Sequence, residues 1–484
     1  MSRGFIMWLA VCTVLGGCTV GPNYQLPRLA LPSSWRESTP KYSFRAVRDA
    51  SVSWWRDFDD PVLNDLVERA LQNNEALQVA VARITEARGL RESTQGELFP
   101  HVGAAAGSQR GNPGVTTEGG VVTAHQAVFD AAWELDLFGG TRREIEAEKA
   151  IVGAREAAYR NAALSLAAEV AREYVMLRQF QEQRVISRRT ATTRHELYDI
   201  AQDHYKGGLV STLDVAQADT LYKTTLAKLP EFDQQIKASA YRLSVLLGEN
   251  PGKMDNLIAK VARQPVARRL PVLDAPARVI RQRPDVVEAE RNLAAATALQ
   301  GVALSALYPN VSLSALFGVQ HASLPLARYL STLDTWNPAG TIAAPILEFG
   351  SIKGQIDAAD ARQVQALHEY REAVLGALGD VEIELSNLTE EARRHKLLRD
   401  AGSSADHAVM VAQSRYRNGL TDFTTVLQAE QQRFGVQLDL AASQAAIAQN
   451  IIALHKALGE NPAPGREETP DRVSDRRAGA PFAR

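Results

Sequence analysis

The sequence has little cysteine, few aromatic residues and no long hydrophobic run. Two cysteines stand among 484 residues, Cys12 and Cys18. Cys12 lies in a leader expected to be removed, so Cys18 would remain alone. That excludes an internal disulfide and a cysteine metal site. Aromatic residues make up 6% of the chain. Abundant alanine with few large rings favours long, closely packed helices over a large globular core. Beyond the N-terminus no run reaches the ~18 apolar residues of a spanning helix. The net charge of −2 gives no electrostatic footprint for nucleic acid. Catalytic signatures are missing as well. The nine histidines are scattered, with no His-Glu-x-x-His pattern. There is no Gly-x-Ser-x-Gly elbow and no phosphate-binding loop. An enzyme, a cofactor and a bound metal are therefore not expected.

What the chain does have is an internal duplication. Leu247-Gly-Glu-Asn-Pro251 returns as Leu458-Gly-Glu-Asn-Pro462, 211 residues on. Phe138-Gly139 returns as Phe349-Gly350, and Tyr205-Lys-Gly-Gly-Leu209 as Tyr416-Arg-Asn-Gly-Leu420, at the same spacing. Leu98-Phe-Pro100 returns as Leu307-Tyr-Pro309 at a spacing of 209. Such a period far exceeds the ~20–50 residues of solenoid repeats. It marks a duplicated half-molecule with an internal pseudo-two-fold relation.

The first 17 residues read as a signal peptide. Arg3 supplies the positive region, and Phe5 to Val14 form an apolar stretch too short to span a bilayer. Leu15-Gly-Gly-Cys18 resembles a bacterial lipobox, in which the cysteine becomes the lipidated first residue. Thr19 follows it, and the absence of Asp there resembles an outer-membrane address. Residues 18–59 are Pro-rich and read as an extended tether.

Repeat one is placed at 60–251, a linker at 252–275 and repeat two at 276–462. Residues 463–484 have the composition of a disordered tail. Asp60-Pro61 opens a helix with proline at its first position, expected to run to Phe99-Pro100. Asn112-Pro-Gly114 and Glu118-Gly-Gly120 mark turns. Phe129, Ala131, Trp133, Leu135 and Leu137 alternate with Asp130, Ala132, Glu134 and Asp136, the period of a strand. Val311, Leu313, Ala315, Phe317 and Val319 alternate likewise, and a further strand is expected from Trp336 to Leu347. Each repeat thus carries one β-hairpin. Long helices follow, from Gly140 to Tyr205 and from Gly350 to Tyr416. At 1.5 Å per residue, ~65 residues reach roughly 100 Å, which is coiled-coil-like. Gly207-Gly208 and Asn418-Gly419 break them, and return helices run to Leu247 and Leu458.

The strands alternate an apolar with a small or polar face, as in a membrane barrel wall. Four strands cannot close a barrel, and open edges in lipid cost several kcal/mol per unpaired backbone group. Chains would therefore have to pool strands.

Cys18-Thr-Val-Gly-Pro-Asn-Tyr24, Trp54-Trp-Arg-Asp-Phe-Asp-Asp-Pro-Val-Leu63, Trp133-Glu-Leu-Asp-Leu-Phe-Gly139 and Arg283-Pro-Asp285 with Ala289-Glu290 carry a family resemblance through their order and spacing. From Cys18 to Pro462 the chain resembles the TolC-like outer membrane efflux factors, lipoprotein branch. The resemblance implies an α+β membrane protein. It would be a homotrimer with a twelve-stranded outer-membrane β-barrel continued by a periplasmic α-helical barrel. It also implies a passive exit duct, with a periplasmic adaptor and an inner-membrane transporter as partners. Two readings without a pore stay open: a periplasmic coiled-coil scaffold lipoprotein and a transport adaptor. An adaptor should carry a lipoyl-like β domain, which the duplicated hairpins do not resemble.

The two hairpin tips are the candidate sites. The resemblance implies adaptor docking by Gly207, Gly208, Leu209, Val210, Gly419, Leu420 and Thr421. Glycine at a reversal is expected on conformational grounds alone; the leucine after each is not. Asp214 and Tyr416 stand where family members hold the closed end by a Tyr–carboxylate hydrogen bond. Family gating acids six and nine residues past the second-tip glycine are replaced here by Thr425 and Gln428, and Thr421 stands where some members have Arg. Asp422 is the nearest acid, and could either line an aperture or cap the return helix.

Overall fold

The computed structural model describes residues 19–37, 53–111, 122–268, 271, 273–323 and 331–460. Cys18, the leader, the expected turn motifs Asn112-Pro-Gly114 and Glu118-Gly-Gly120, and the 463–484 tail lie outside the described residues. A 3-10 turn at Trp54–Phe58 precedes α1 (Pro61–Asn73) and α2 (Glu75–Gly96). Strands β1 (His101–Gly111) and β2 (Val122–Leu135) lead into α3 (Gly140–Lys206) and its return α4 (Thr212–Leu246). Short helices α5 (Asp255–Ala259) and α6 (Pro276–Gln282) open the second half. There α7 (Pro284–Ser305), β3 (Asn310–Ser323), β4 (Ser331–Ala343), α8 (Ser351–Arg417) and α9 (Phe423–Ala457) repeat the pattern. Helices α3 and α8 have 67 residues each, and α4 and α9 have 35 each, so the duplication is kept to the residue.

Two compact units form, and each draws on both repeats. One comprises residues 1–29, 81–157 and 287–373; the other comprises 30–80, 158–286 and 374–484.

The first unit holds an antiparallel sheet of order β1-β2-β3-β4. Its register aligns Phe129 with Phe317 and Phe317 with Trp336. Paired residues share a face, and residues two apart along a strand share it too. One face therefore carries Val102, Phe129, Trp133, Leu313, Phe317, Val319, Trp336 and Ile342. The other carries Gly103, Gly107, Gln126, Asp130, Ser312, Ser314, Gln320 and Thr341. Phe129, Phe317, Trp336 and Ile342 are all exposed. β1 and β4 are the sheet edges, and Pro338 sits in β4, where a missing backbone donor costs least. The start of the expected tether is docked in this unit. Arg143 donates to the Val20 and Gly21 carbonyls at 3.1 Å and to Asn23 Oδ1 at 2.8 Å.

The second unit holds the main core, built from Trp35, Trp54, Trp55, Phe58, Leu63, Leu66, Tyr174 and Leu243 among others. Asp60 caps α1 by accepting from the Val62 and Leu63 amides, and takes the Tyr174 hydroxyl at 2.7 Å. His455 stacks on Trp54 and bonds Glu460 at 2.7 Å.

Two expectations need correction. The helix from Pro61 to the Phe99 region is two helices. Asn74 is extended between them, donating to the Leu246 carbonyl at 2.9 Å and accepting from the Leu77 amide at 3.2 Å. An asparagine side chain that bonds local backbone competes with helix continuation. The 252–275 linker is tied to α3. Arg178 donates to the Lys260 carbonyl at 2.7 Å, and Gln181 to the Leu257 and Ile258 carbonyls at 3.0 and 3.1 Å. Finally, β4 spans Ser331–Ala343 rather than Trp336 to Leu347.

Candidate functional site at the helical-hairpin tips

Both long helices end in the same way. At the first tip the Gly208 amide donates to the Tyr205 carbonyl and the Leu209 amide to the His204 carbonyl, each at 2.9 Å. At the second tip Gly419 donates to Tyr416 and Leu420 to Arg415, again at 2.9 Å. These paired bonds are a Schellman stop, which needs a left-handed residue just past the helix. Gly208 has φ of 71° and Gly419 of 69°, so a side chain at either would be strained. The motif assigns the following residue a hydrophobic contact with the last turn. Neither leucine is hidden by it. Leu209 is 74% exposed and Leu420 66%. Gly207 is exposed beside them, while Val210 and Thr421 are half-buried, Thr421 donating to Thr425 Oγ1 at 3.1 Å.

The return helices start with polar caps. Ser211 and Asp214 form a reciprocal capping box. The Asp214 carboxylate accepts from the Ser211 amide at 2.9 Å and from its hydroxyl at 2.7 Å. Asp422 is the N-cap of α9, accepting from the Thr425 amide at 2.9 Å and hydroxyl at 2.5 Å. Those bonds hold its carboxyl below the usual carboxylate range, the side-chain bond contributing most.

The expected bond between Asp214 and Tyr416 is not made within the chain. The capping box engages the carboxylate, and the Tyr416 hydroxyl lies 3.0 Å from His204 Nδ1 instead. The Tyr416 ring also packs on Phe423, centroids 5.2 Å apart. Burial pushes the phenol up, and the nearby Asp214 charge adds to that. Asp214 thus acts on Tyr416 through space. Tyr205, the counterpart of Tyr416, is exposed, so the two tips are not equivalent.

Further along the same hairpins a buried charge cluster joins both repeats. Arg194 of α3 donates to Thr225 Oγ1 and the Leu221 carbonyl of α4, and to Gln431 Oε1 of α9 at 3.0 Å. Its guanidinium lies 4.8 Å from the Phe434 ring centre. Burial pulls its pKa down to about 10. Glu430, fully buried, accepts from Arg433 at 2.7 Å and Gln413 at 3.1 Å, and burial pushes its carboxyl up. Sequence reading missed His204, Arg194 and Glu430. Each sits in an ordinary helical pattern, and only packing gives it a partner.

The profile of the outer membrane efflux protein family matches residues 66–249 and 275–460, one segment in each repeat. The chain belongs to the outer membrane efflux protein family. It is therefore an efflux channel of the outer membrane, an exit duct. The chain is 30% identical over 480 residues to the pyoverdine export outer membrane protein OpmQ of Pseudomonas aeruginosa, covering 95% of this chain and 97% of that one. Its fold is similar to the outer-membrane channel OprN, with 31% identity, a TM-score of 0.86, and coverage of 92% of this chain and 100% of that one. It is also similar to the open state of the MtrE outer membrane channel of Neisseria gonorrhoeae. That likeness has 26% identity, a TM-score of 0.79, and coverage of 92% and 99%.

Proposed function

We propose that three copies of this efflux channel pool their sheets into one twelve-stranded outer-membrane barrel, continued by a helical barrel in the periplasm. Solutes leave through it passively. An inner-membrane transporter supplies the energy, and a periplasmic adaptor docks at the tips through Leu209 and Leu420. Lipid on Cys18 anchors the chain, and the duct uses no other cofactor. The observation that carries this reading is the two-faced sheet with two open edges. Its apolar face suits lipid and its small, polar face suits a water-filled lumen. Its edges need partners in a bilayer.

Native mass spectrometry in detergent tests it: three copies are expected, and a monodisperse monomer would refute the barrel. Purified protein in a planar bilayer should also conduct. For the anchor, the mature N-terminal peptide should begin at Cys18 and carry two or three acyl chains, each buried CH₂ adding ~0.8 kcal/mol. An unmodified Cys18 would remove the anchor.

A further inference from the structure

The seam between the two repeats joins β2 to β3, and there His125 stands directly opposite His321. The two are far apart in sequence, so only the sheet brings them together. Their rings stack with centroids 6.4 Å apart and planes 26° apart. His125 is exposed and His321 half-buried.

The face follows from the period of the strands. His125 lies on the side of Phe129 and Trp133, and His321 on the side of Phe317, which is the apolar side. The height follows from the same strand. Trp133 donates its indole N–H to the Leu98 carbonyl at 2.9 Å, between α2 and β1, so it marks the helical end of the sheet. His125 stands eight residues from it along β2, ~27 Å at ~3.4 Å per residue. At a strand tilt of ~35–45° that is roughly 20 Å of height, near the ~25 Å of an apolar belt. The duplication agrees. At the spacing of 211 residues, His125 corresponds to Trp336, which is exposed, and tryptophan belongs at a membrane–water boundary. The two imidazoles therefore meet water at the outer end of the apolar band.

A boundary position explains one amphipathic ring. It does not explain a directly opposed pair of them. Opposed Cβ atoms lie ~4.5–5.5 Å apart, a spacing from which two imidazoles can share one ion. With metal–nitrogen bonds of ~2.0–2.1 Å at a tetrahedral angle, the ring centres would be roughly 5 Å apart. The present separation is about 1 Å wider, and rotation of the exposed His125 side chain closes that gap. The paired strands already hold both backbones in place. Among the described residues no third His, Cys, Asp or Glu completes a set, so water would fill the remaining positions. Two nitrogens with water suit Cu²⁺, Ni²⁺ and Zn²⁺, with Cu²⁺ held most tightly. Ca²⁺ and Mg²⁺ take oxygen ligands and are excluded.

We propose that His125 and His321 bind one divalent transition-metal ion, Cu²⁺ in preference to Ni²⁺ or Zn²⁺, on the apolar face of the sheet at its outer rim. The bound ion staples β2 to β3, and so repeat one to repeat two. The rim placement rests on the channel reading, whereas the pair itself is made within one chain.

Copper titration of the full-length channel in detergent, carrying no affinity tag, tests the site. Cu²⁺ alone should bind at one ion per chain, and its electron paramagnetic resonance spectrum should show coupling to two imidazole nitrogens. His125→Phe and His321→Phe keep a flat ring at the boundary. Each should weaken binding at least about tenfold, the lower range for loss of a group that supports a metal. His101→Phe, at the other end of the sheet, should leave binding unchanged. Cu²⁺ should also raise the unfolding temperature of the wild type, because it binds the folded sheet alone, but not that of the two variants. Ca²⁺ and Mg²⁺ should do neither. Equal Cu²⁺ affinity in the wild type and in the His125→Phe, His321→Phe double variant would overturn the site, as would a spectrum with a single imidazole. A double variant that loses stability yet binds Cu²⁺ as the wild type does would make the pair a packing contact only. A wild type that forms no trimer would overturn the channel reading and leave the copper result standing.

Discussion

The Tyr416 hydroxyl lies 3.0 Å from His204 Nδ1, joining the tip of the second helical hairpin to the last turn of the first. The contact has no symmetric copy, because Tyr205 and Arg415 occupy the equivalent places and Tyr205 is exposed. It ties the two hairpins at the end expected to face the adaptor.

Removing this tie should loosen that end. Tyr416→Phe and His204→Ala each delete one hydrogen bond of about 0.5–1.5 kcal/mol. Each should raise entry of vancomycin into cells at equal expression, and the double variant should raise it no further. Additive increases would mean that the two residues act separately. Asp214→Ala should instead destabilise the start of α4 by removing its capping box.

The exposed leucines are expected to be covered by the adaptor. Burying one leucine contributes about 1.5–3 kcal/mol, so Leu420→Ala should weaken adaptor binding by roughly tenfold or more. Leu209→Asp with Leu420→Asp should abolish efflux-dependent resistance while the trimer stays intact. Unchanged adaptor affinity by surface plasmon resonance would remove the tips from the docking surface.

Asp422 separates two roles by substitution. Asn is as good an N-cap as Asp, and Ala is a poor one. Asp422→Asn should leave thermal stability near wild type, and Asp422→Ala should lower it. The depressed pKa means the charged cap stabilises above the ordinary aspartate range, and that contribution fades as pH falls through the folded-state value. A pore role would add a further effect: Asp422→Asn would reduce cation selectivity in planar bilayers. Selectivity equal to wild type would leave Asp422 with capping alone.

Glu430 should give the opposite pH dependence. Its raised pKa means that the folded state holds the proton more tightly than the unfolded chain does. Its contribution is full below the ordinary glutamate value and is lost as pH rises through the folded-state value. Glu430→Gln removes the titration, so the fall in melting temperature as pH rises above the ordinary glutamate value should flatten. An unchanged slope would place the titration elsewhere.

The sequence by itself determined the duplicated plan, since three motifs repeated at a spacing of 211 and a fourth at 209 survive into matched helices and hairpins. It determined the helix stops as well, because Gly208 and Gly419 answer a backbone requirement that is local. It determined the strands by period two, though not the bounds of the last one, which ends at Ala343 short of the expected Leu347. Tertiary structure decided the polar partners. Tyr416 found His204, while the Asp214 carboxylate joined the first-tip capping box. The helix after Pro61 broke at Asn74 because its side chain bonds Leu246 and Leu77, the former 172 residues away in sequence. Arg194 and Glu430 acquired meaning only where helices from both repeats removed them from water. Local conformational rules act over a few residues and are written in the residue order. Desolvation and long-range pairing depend on which surfaces meet, and that is fixed only when the chain is packed.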